Sequence, residues 1–284
     1  MRFLPPTSGS LAFVGLLSVE DLHRSITADG TAVQQDLTAS GYLGDALTIA
    51  SHPLKCFIEA HIEQGPILEQ NSITIGVVRG IQGARMFSVS VAGQDAHAGT
   101  TPMSMRRDAL VGASGMITRL HQLASDSDPD MRLTVGQFDV QPNASSTIPG
   151  MVHFKIDLRH PSADTLETME NMIRKSIGWA ADEADLRVEI ECSFKMPPIL
   201  FNETMMKVIR QESDKIGLSH RDMLSGAGHD AGNLAAFTPS AMIFVPCKNG
   251  VSHNEAESAT PADLAAGANV LLRTMLACDQ ASAL

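Results

Sequence analysis

The chain has 284 residues, room for one large domain or two modest ones. Hydrophobic residues make up 44% and charged residues 19%, the balance of a globular chain and not of a disordered one. A net charge of −11 argues against nucleic acid or an anionic membrane as partner, since either favours a basic face; no apolar run approaches the ~20 residues of a membrane span.

Leu11 to Val19 is a short apolar stretch broken by Gly15 and followed by Glu20 and Asp21, which reads as core and not as a leader. Ser18, with Asp21 three positions on, marks a helix start, and Gly30 closes that segment. A polar helix follows from Thr31 to Ser40, stopped by Gly41. From Cys56 to Glu63 the pattern alternates. Ile58, Ala60 and Ile62 face one way, while Phe57, Glu59, His61 and Glu63 face the other, giving a strand with an ionisable side.

The middle of the chain reads as a unit of its own, residues 79–194. A strand from Arg85 to Ala92 leads through a Gly-rich connection to a helix from Arg107 to Ala124. Strands follow from Leu133 to Val140 and from Met151 to Leu158. Ser162 caps a second helix with Leu166, Met169, Ile173 and Ile177 inward, and a last strand puts Val188, Ile190, Cys192 and Phe194 on one face. The order β-α-β-β-α-β is the ferredoxin-like arrangement. Residues 1–78 and 195–284 then form an α/β domain around it. In its second part a helix spans Asn202 to Ile216, a buried strand runs from Ala241 to Val245, and Thr260-Pro261 starts a final helix with a predicted buried stripe of Leu264, Leu271, Leu272 and Met275. Cys56, Cys192, Cys247 and Cys278 lack metal-site or disulfide-framework spacing, which points to a reducing cytoplasm.

Four His-centred segments sit beside glycines: residues 60–66, 95–102, 226–231 and 250–255. Neutral imidazole is the commonest metal ligand and also serves as acid or base near pH 7. Taken singly, each histidine is more economically a hydrogen-bonded polar residue; four together favour a site. His23, His52, His121, His153, His160 and His220 match no such segment.

The runs His61-Ile62-Glu63-Gln64-Gly65-Pro66, His97 to Met103 with Arg106-Arg107-Asp108-Ala109, Ser225 to Ala231, and Val251-Ser252-His253-Asn254 carry a resemblance over essentially the whole chain. It resembles the metal-dependent amidohydrolases of the peptidase M20 superfamily, in the branch of N-carbamoyl-L-amino-acid hydrolases, allantoate amidohydrolases and ureidopropionases. The resemblance implies a zinc-exopeptidase-like α/β catalytic domain interrupted by a ferredoxin-like α+β lid and dimerisation domain. It implies hydrolysis of a linear amide or ureido C–N bond in a small carboxylate substrate, by a cytoplasmic homodimer. His61 and His253 match metal ligands, and His97 matches the lid histidine that polarises the scissile carbonyl. Arg159 matches the arginine that grips the substrate carboxylate, although pairing with Asp157 would also explain it. His229 matches a substrate-side residue, although a loop hydrogen bond beside Asp230 would do so too. Asn143 and Ser146 are candidate substrate contacts; relatives have Asn where Ser146 stands. Gln64 reads as structural.

The family binds two divalent ions, usually zinc and in some members manganese. The segments that supply its other ligands and its general base have no counterpart here, and Met1-Arg2-Phe3 resembles the residues directly after the Glu-Glu-Gly of relatives. The expectation is therefore an N-terminally truncated catalytic domain in which His61 and His253 alone hold the metals poorly. The competing readings are a non-catalytic ligand-binding or dimerising protein on the same fold, and an aminoacylase or peptidase of the superfamily.

Overall fold

A computed structural model describes residues 6–27, 30–45 and 48–281; Met1-Arg2-Phe3 lies outside the described residues. In chain order come α1 (Ser8–Phe13), α2 (Val19–Arg24), α3 (Val33–Ser40), β1 (Phe57–Ile62), α4 (Ile67–Gln70), β2 (Ile75–Ile81), β3 (Gly83–Ala92), β4 (Ala96–His97) and α5 (Ala109–Ser125). Then follow β5 (Arg132–Gln141), β6 (Thr147–Ile148), β7 (Met151–His160), α6 (Ala163–Glu183) and β8 (Arg187–Met196). The chain ends with β9 (Ile199–Leu200), α7 (Glu203–Lys215), β10 (His220–Ser225), α8 (Asp230–Leu234), β11 (Ser240–Val245) and α9 (Pro261–Gln280). Contacts divide these into two compact units, Met1–Ile81 with Ile199–Leu284, and Gln82–Pro198.

Local chemistry sets most helix ends. Ser18, Asp108, Ser162, Asn202 and Thr260 each accept a backbone N–H of the first turn through their side chains. Such a cap contributes about 1 kcal/mol. Gly41 ends α3 at φ 76°, in the left-handed region that lets the chain leave a helix.

The first unit is built on a mixed sheet ordered β1-β11-β2-β10, with β9 also on β2. β1 runs parallel to β11 and β10 parallel to β2, while β11 and β2 are antiparallel. β2 and β10 escape the sequence reading. In β2 every residue but Arg79 is buried, so no two-residue alternation betrays it. Ile75, Val77, Met205, Ile209, Ile243, Val270 and Cys278 form the core between this sheet and helices α7 and α9.

The predicted inner face of α9 is corrected. Leu264, Leu272 and Met275 are more than half exposed, Leu271 alone of the predicted stripe packs against the core, and the buried residues are Gly267, Val270, Thr274 and Cys278. The reason is steric. A Cβ on Gly267 would lie 2.5 Å from Cγ1 of Val245, so only a small-residue stripe lets the helix approach the sheet this closely.

The second unit has the β-α-β-β-α-β order, sheet order β5-β7-β3-β8, with every pairing antiparallel. Its core joins Phe87, Val89 and Val91 of β3 to Val152, Phe154, Ile156 and Leu158 of β7, under Met116 and Leu120 of α5 and Met169, Ile173 and Ile177 of α6. Phe194 leaves the face it was expected to share with Val188 and Ile190. The β3–β8 register shifts between Met86 and Phe87, so Cys192 pairs with Phe87 while Phe194 pairs with Met86. That one-residue bulge turns Phe194 to the outer face, where it is 45% exposed.

Candidate functional site

On β1, Glu59 and His61 project from the same face because they are two residues apart, and they stand in register with Met242 and Phe244 of β11. The His61 Nδ1–H donates to the carbonyl of Ile62 at 2.8 Å, which leaves its Nε2 lone pair free. His229 arrives from the loop between β10 and α8, as the residue preceding the first turn of that helix. Its ring meets the His61 ring edge-on, with centroids 4.7 Å apart, and the buried Phe244 lies 5.7 Å from His229 and 6.4 Å from His61.

The His229 Nε2 lies 2.8 Å from the hydroxyl of Ser225, which is itself buried. One Glu59 oxygen, Oε2, accepts the backbone N–H of Ala231 at 2.8 Å. The other, Oε1, sits 3.7 Å from His229 Nδ1, too far for a hydrogen bond. Glu59, His61 and His229 each offer a nitrogen or oxygen, and the three atoms lie within 4.8 Å of one another. Burial, helped by the nearby His61, pushes the His229 pKa down to about 4, so the imidazole is neutral at pH 7 with its lone pair available. Burial raises the Glu59 pKa against the pull of the Ala231 N–H. Two imidazoles and a carboxylate form a donor set that suits a divalent transition ion.

His253 is not part of that group. Its segment is packed against the loop that follows His61. Gly250 adopts φ 65°, and a Cβ there would sit 2.7 Å from the Pro66 nitrogen. The Asn249 N–H donates to Glu69 at 2.7 Å, and Gln64 Nε2 donates to the Ser252 hydroxyl at 2.9 Å, which gives Gln64 a structural task. His253 itself sits at φ 56° with its backbone N–H on Glu257 at 3.0 Å. The Glu257 carboxyl is held low by the Ser252 hydroxyl and the His253 N–H, and further by the charges of His253 and His61. Glu63 of the same motif is occupied elsewhere: its two oxygens accept the N–H groups of Ile67 and Leu68 at the start of α4.

In the second unit, His97 lies on β4, opposite Thr147 of β6. Ser146 adjoins it, since its carbonyl accepts the N–H of Ala98 at 2.9 Å. The His97 Nδ1 accepts from the Gly99 and Thr100 amides at 3.0 and 3.2 Å. A neutral His97 therefore carries its proton on Nε2, as an outward donor. Arg106 braces this turn through the carbonyls of Thr101 and Ala98. Asn143 is exposed, at φ 55° in the loop leading to β6. Arg159, on β7, grips Asp157 with a two-pronged pair at 2.9 and 2.7 Å. The structure thus gathers His61 with His229, and His97 with Ser146. Glu59 is the residue that sequence reasoning passed over, although the alternation of β1 had already placed it beside His61.

A family model described as Peptidase family M20/M25/M40 matches residues 9–277. An N-carbamoyl-L-amino-acid amidohydrolase of Paenarthrobacter aurescens is 38% identical over 282 residues, covering 98% of this chain and 68% of that protein. An allantoate amidohydrolase of Escherichia coli K12 is 34% identical over 264 residues, covering 93% of this chain and 64% of that protein. Among solved structures, an amidase of the hydantoinase/carbamoylase family from Burkholderia multivorans superposes with a TM-score of 0.91 at 42% identity, over 98% of this chain and 67% of that one. The chain thus spans about two thirds of the length of these relatives.

Proposed function

Because the chain belongs to the M20/M25/M40 peptidase family, we propose that it hydrolyses a ureido C–N bond in a small carboxylate substrate: an N-carbamoyl amino acid, ureidopropionate or allantoate. The observation that carries this reading is the joining of His61 to further nitrogen and oxygen donors in one cluster, in a chain whose relatives are named for N-carbamoyl-L-amino-acid and allantoate hydrolysis. In the family arrangement His61 and His253 are ligands of two divalent ions, zinc or manganese. A bound divalent ion supplies Lewis acidity toward the carbamoyl carbonyl and makes water a stronger acid.

The remaining roles fall to the second unit. His97, with Nδ1 occupied by two amides, offers its Nε2–H to the carbonyl oxygen as negative charge develops there. Arg159 presents a planar guanidinium that suits a carboxylate, and Asp157 holds that fork in place until the substrate competes for it. Ser146 and Asn143 contact the substrate amide. The second unit is also the dimerisation surface of this reading: β5 and β8 are the two edges of its sheet, and unpaired edges are templates for strand pairing. The four free cysteines fit a reducing, cytoplasmic setting.

The test supplies zinc or manganese to the purified chain and offers N-carbamoyl amino acids, 3-ureidopropionate, allantoate, N-acetyl amino acids and dipeptides, with ammonia release and calorimetric binding both measured. Ammonia released from ureido substrates alone is the expected result. Binding of ureido compounds without turnover would mark a ligand-binding protein. Cleavage of N-acetyl amino acids or dipeptides instead would place the chain with aminoacylases or peptidases.

A further inference from the structure

We infer that Arg106 is the positioning residue of His97: its guanidinium clamps the Ala98–Gly99 peptide so that the Gly99 N–H points at His97 Nδ1, and the imidazole is thereby fixed as an Nε2–H donor. The consequence for turnover rests on the role proposed above for His97. The tautomer itself does not, and it involves residues of the second unit alone.

In a trans peptide the C=O and the N–H point in opposite directions, so fixing one end aims the other. Arg106 Nη2 donates to the Ala98 carbonyl at 2.7 Å. The N–H at the other end of that same peptide is that of Gly99, and it donates to His97 Nδ1 at 3.0 Å. Arg106 Nε donates to the Thr101 carbonyl at 3.0 Å, so the guanidinium spans the turn, while the Thr100 N–H reaches the same Nδ1 at 3.2 Å. Two N–H donors on one ring nitrogen leave the proton of a neutral imidazole on the other. A cation on the Ala98 carbonyl also polarises its peptide, which strengthens the Gly99 N–H and, through the ring, the Nε2–H. A lysine at this position would bring one point charge where a planar fork now holds two carbonyls.

The surroundings leave this turn little freedom. Gly99 lies against the ring: a Cβ there would be 3.2 Å from His97 Cε1 and 3.5 Å from Nδ1, so a side chain would press the imidazole away from its donors. The His97 carbonyl accepts the Thr101 N–H at 3.2 Å. Behind Arg106 the backbone is anchored in turn. The Arg107 carbonyl accepts the Gln94 N–H at 2.9 Å, and Arg107 Nε donates to the Asp185 carbonyl at 2.7 Å. Asp108 takes the N–H groups of Leu110 and Val111 at the start of α5, and Ala109 is buried. The run Arg106-Arg107-Asp108-Ala109 therefore joins the His97 turn to the core of the second unit, and Arg106 is the member that faces the turn.

The experiment labels the histidine ring nitrogens of the full chain and reads the His97 tautomer from long-range proton–nitrogen correlations, with His97→Gln identifying the signal. The unmutated chain carries the proton on Nε2 alone. In Arg106→Gln the clamp is gone and the Nδ1–H form appears beside it; Arg106→Lys, which lacks the fork, shows the same mixture. Amide dispersion reports folding, and either variant decides the matter should the other fail to fold. Ureido hydrolysis gives a second readout. Arg106→Gln lowers kcat by about 10-fold to 100-fold with KM little changed, short of the about 100-fold to 1,000-fold that loss of an oxyanion donor itself costs. Added to His97→Gln it lowers kcat no further, because a residue that acts through His97 then has nothing to act on. A pure Nε2–H tautomer in the folded variants, or a proton on Nδ1 in the unmutated chain, overturns the inference, as do additive losses of kcat in the double variant. A chain that hydrolyses no ureido compound overturns the proposed function instead, and the tautomer then decides this inference by itself.

Discussion

Several charged side chains of this protein are held by specific partners, and two of those pairs lead to measurable consequences. Arg159 has its fork on Asp157, so a substrate carboxylate must offer at least as good a partner. Under the proposed function Arg159→Ala removes a charge-assisted contact of about 1.5–3 kcal/mol, which corresponds to a KM raised by roughly 10-fold to 150-fold for carboxylate substrates. Steady-state kinetics check this, and an unchanged KM would refute the role. The second pair is part-buried, with its arginine buried. Arg85 of β3 and Glu170 of α6 form an ion pair, with Arg174 sharing the same carboxylate. Burial works to raise the Glu170 pKa from 4.5, but the hydrogen bonds from Arg85 and Arg174 outweigh it and the net shift is downward. A folded-state value below the unfolded one means the stabilisation is fully present above about pH 4.5 and is lost as pH falls through the lower, folded value. Glu170→Gln leaves Arg85 buried with a weakened partner and should cost about 3–5 kcal/mol at pH 7 in urea unfolding. The gap between wild type and variant should narrow in acid; a gap independent of pH would contradict the assignment.

At the level of elements, α9 shows why side-chain size can mislead. Hydrophobicity alone selects its leucines, but the face buried on the sheet is that of Gly267, Val270, Thr274 and Cys278, with Leu271 at its edge. Gly267→Val drives new atoms into Val245 and should destabilise by about 1–3 kcal/mol. Leu272→Gln, on the half-exposed side, should change stability by no more than about 0.5 kcal/mol. Thermal melts of both variants decide it, and the reverse ranking would mean that α9 is packed the other way round. β8 teaches a related lesson. Its alternation holds until one extra residue reverses the side on which Phe194 emerges.

For the molecule as a whole, the second unit is one uninterrupted stretch, Gln82–Pro198, with its own core between a four-stranded sheet and two helices. The first unit is assembled from two separated stretches. Residues 82–198 expressed alone should therefore unfold in one cooperative transition with a dispersed amide spectrum; a molten, undispersed spectrum would show that its core needs the rest of the chain. Much of this architecture was legible in the amino-acid order. The period-two pattern of β1, the helical stripe Leu166-Met169-Ile173-Ile177 and the capping residues are local signals, each carried by residues a few positions apart. The family motifs, too, are short runs. The strands β2 and β10 were not legible, since β2 is buried on both faces and β10 shows no clean alternation. By itself the sequence settled the element order of the second unit, the family, and the face of β1 on which His61 stands with Glu59. Only the tertiary structure decided that His229 joins them, that Ser225 lies behind it, and that α9 turns its small residues inward. Those are meetings of residues far apart in the chain, and they depend on how closely backbones can approach, which no local periodicity encodes.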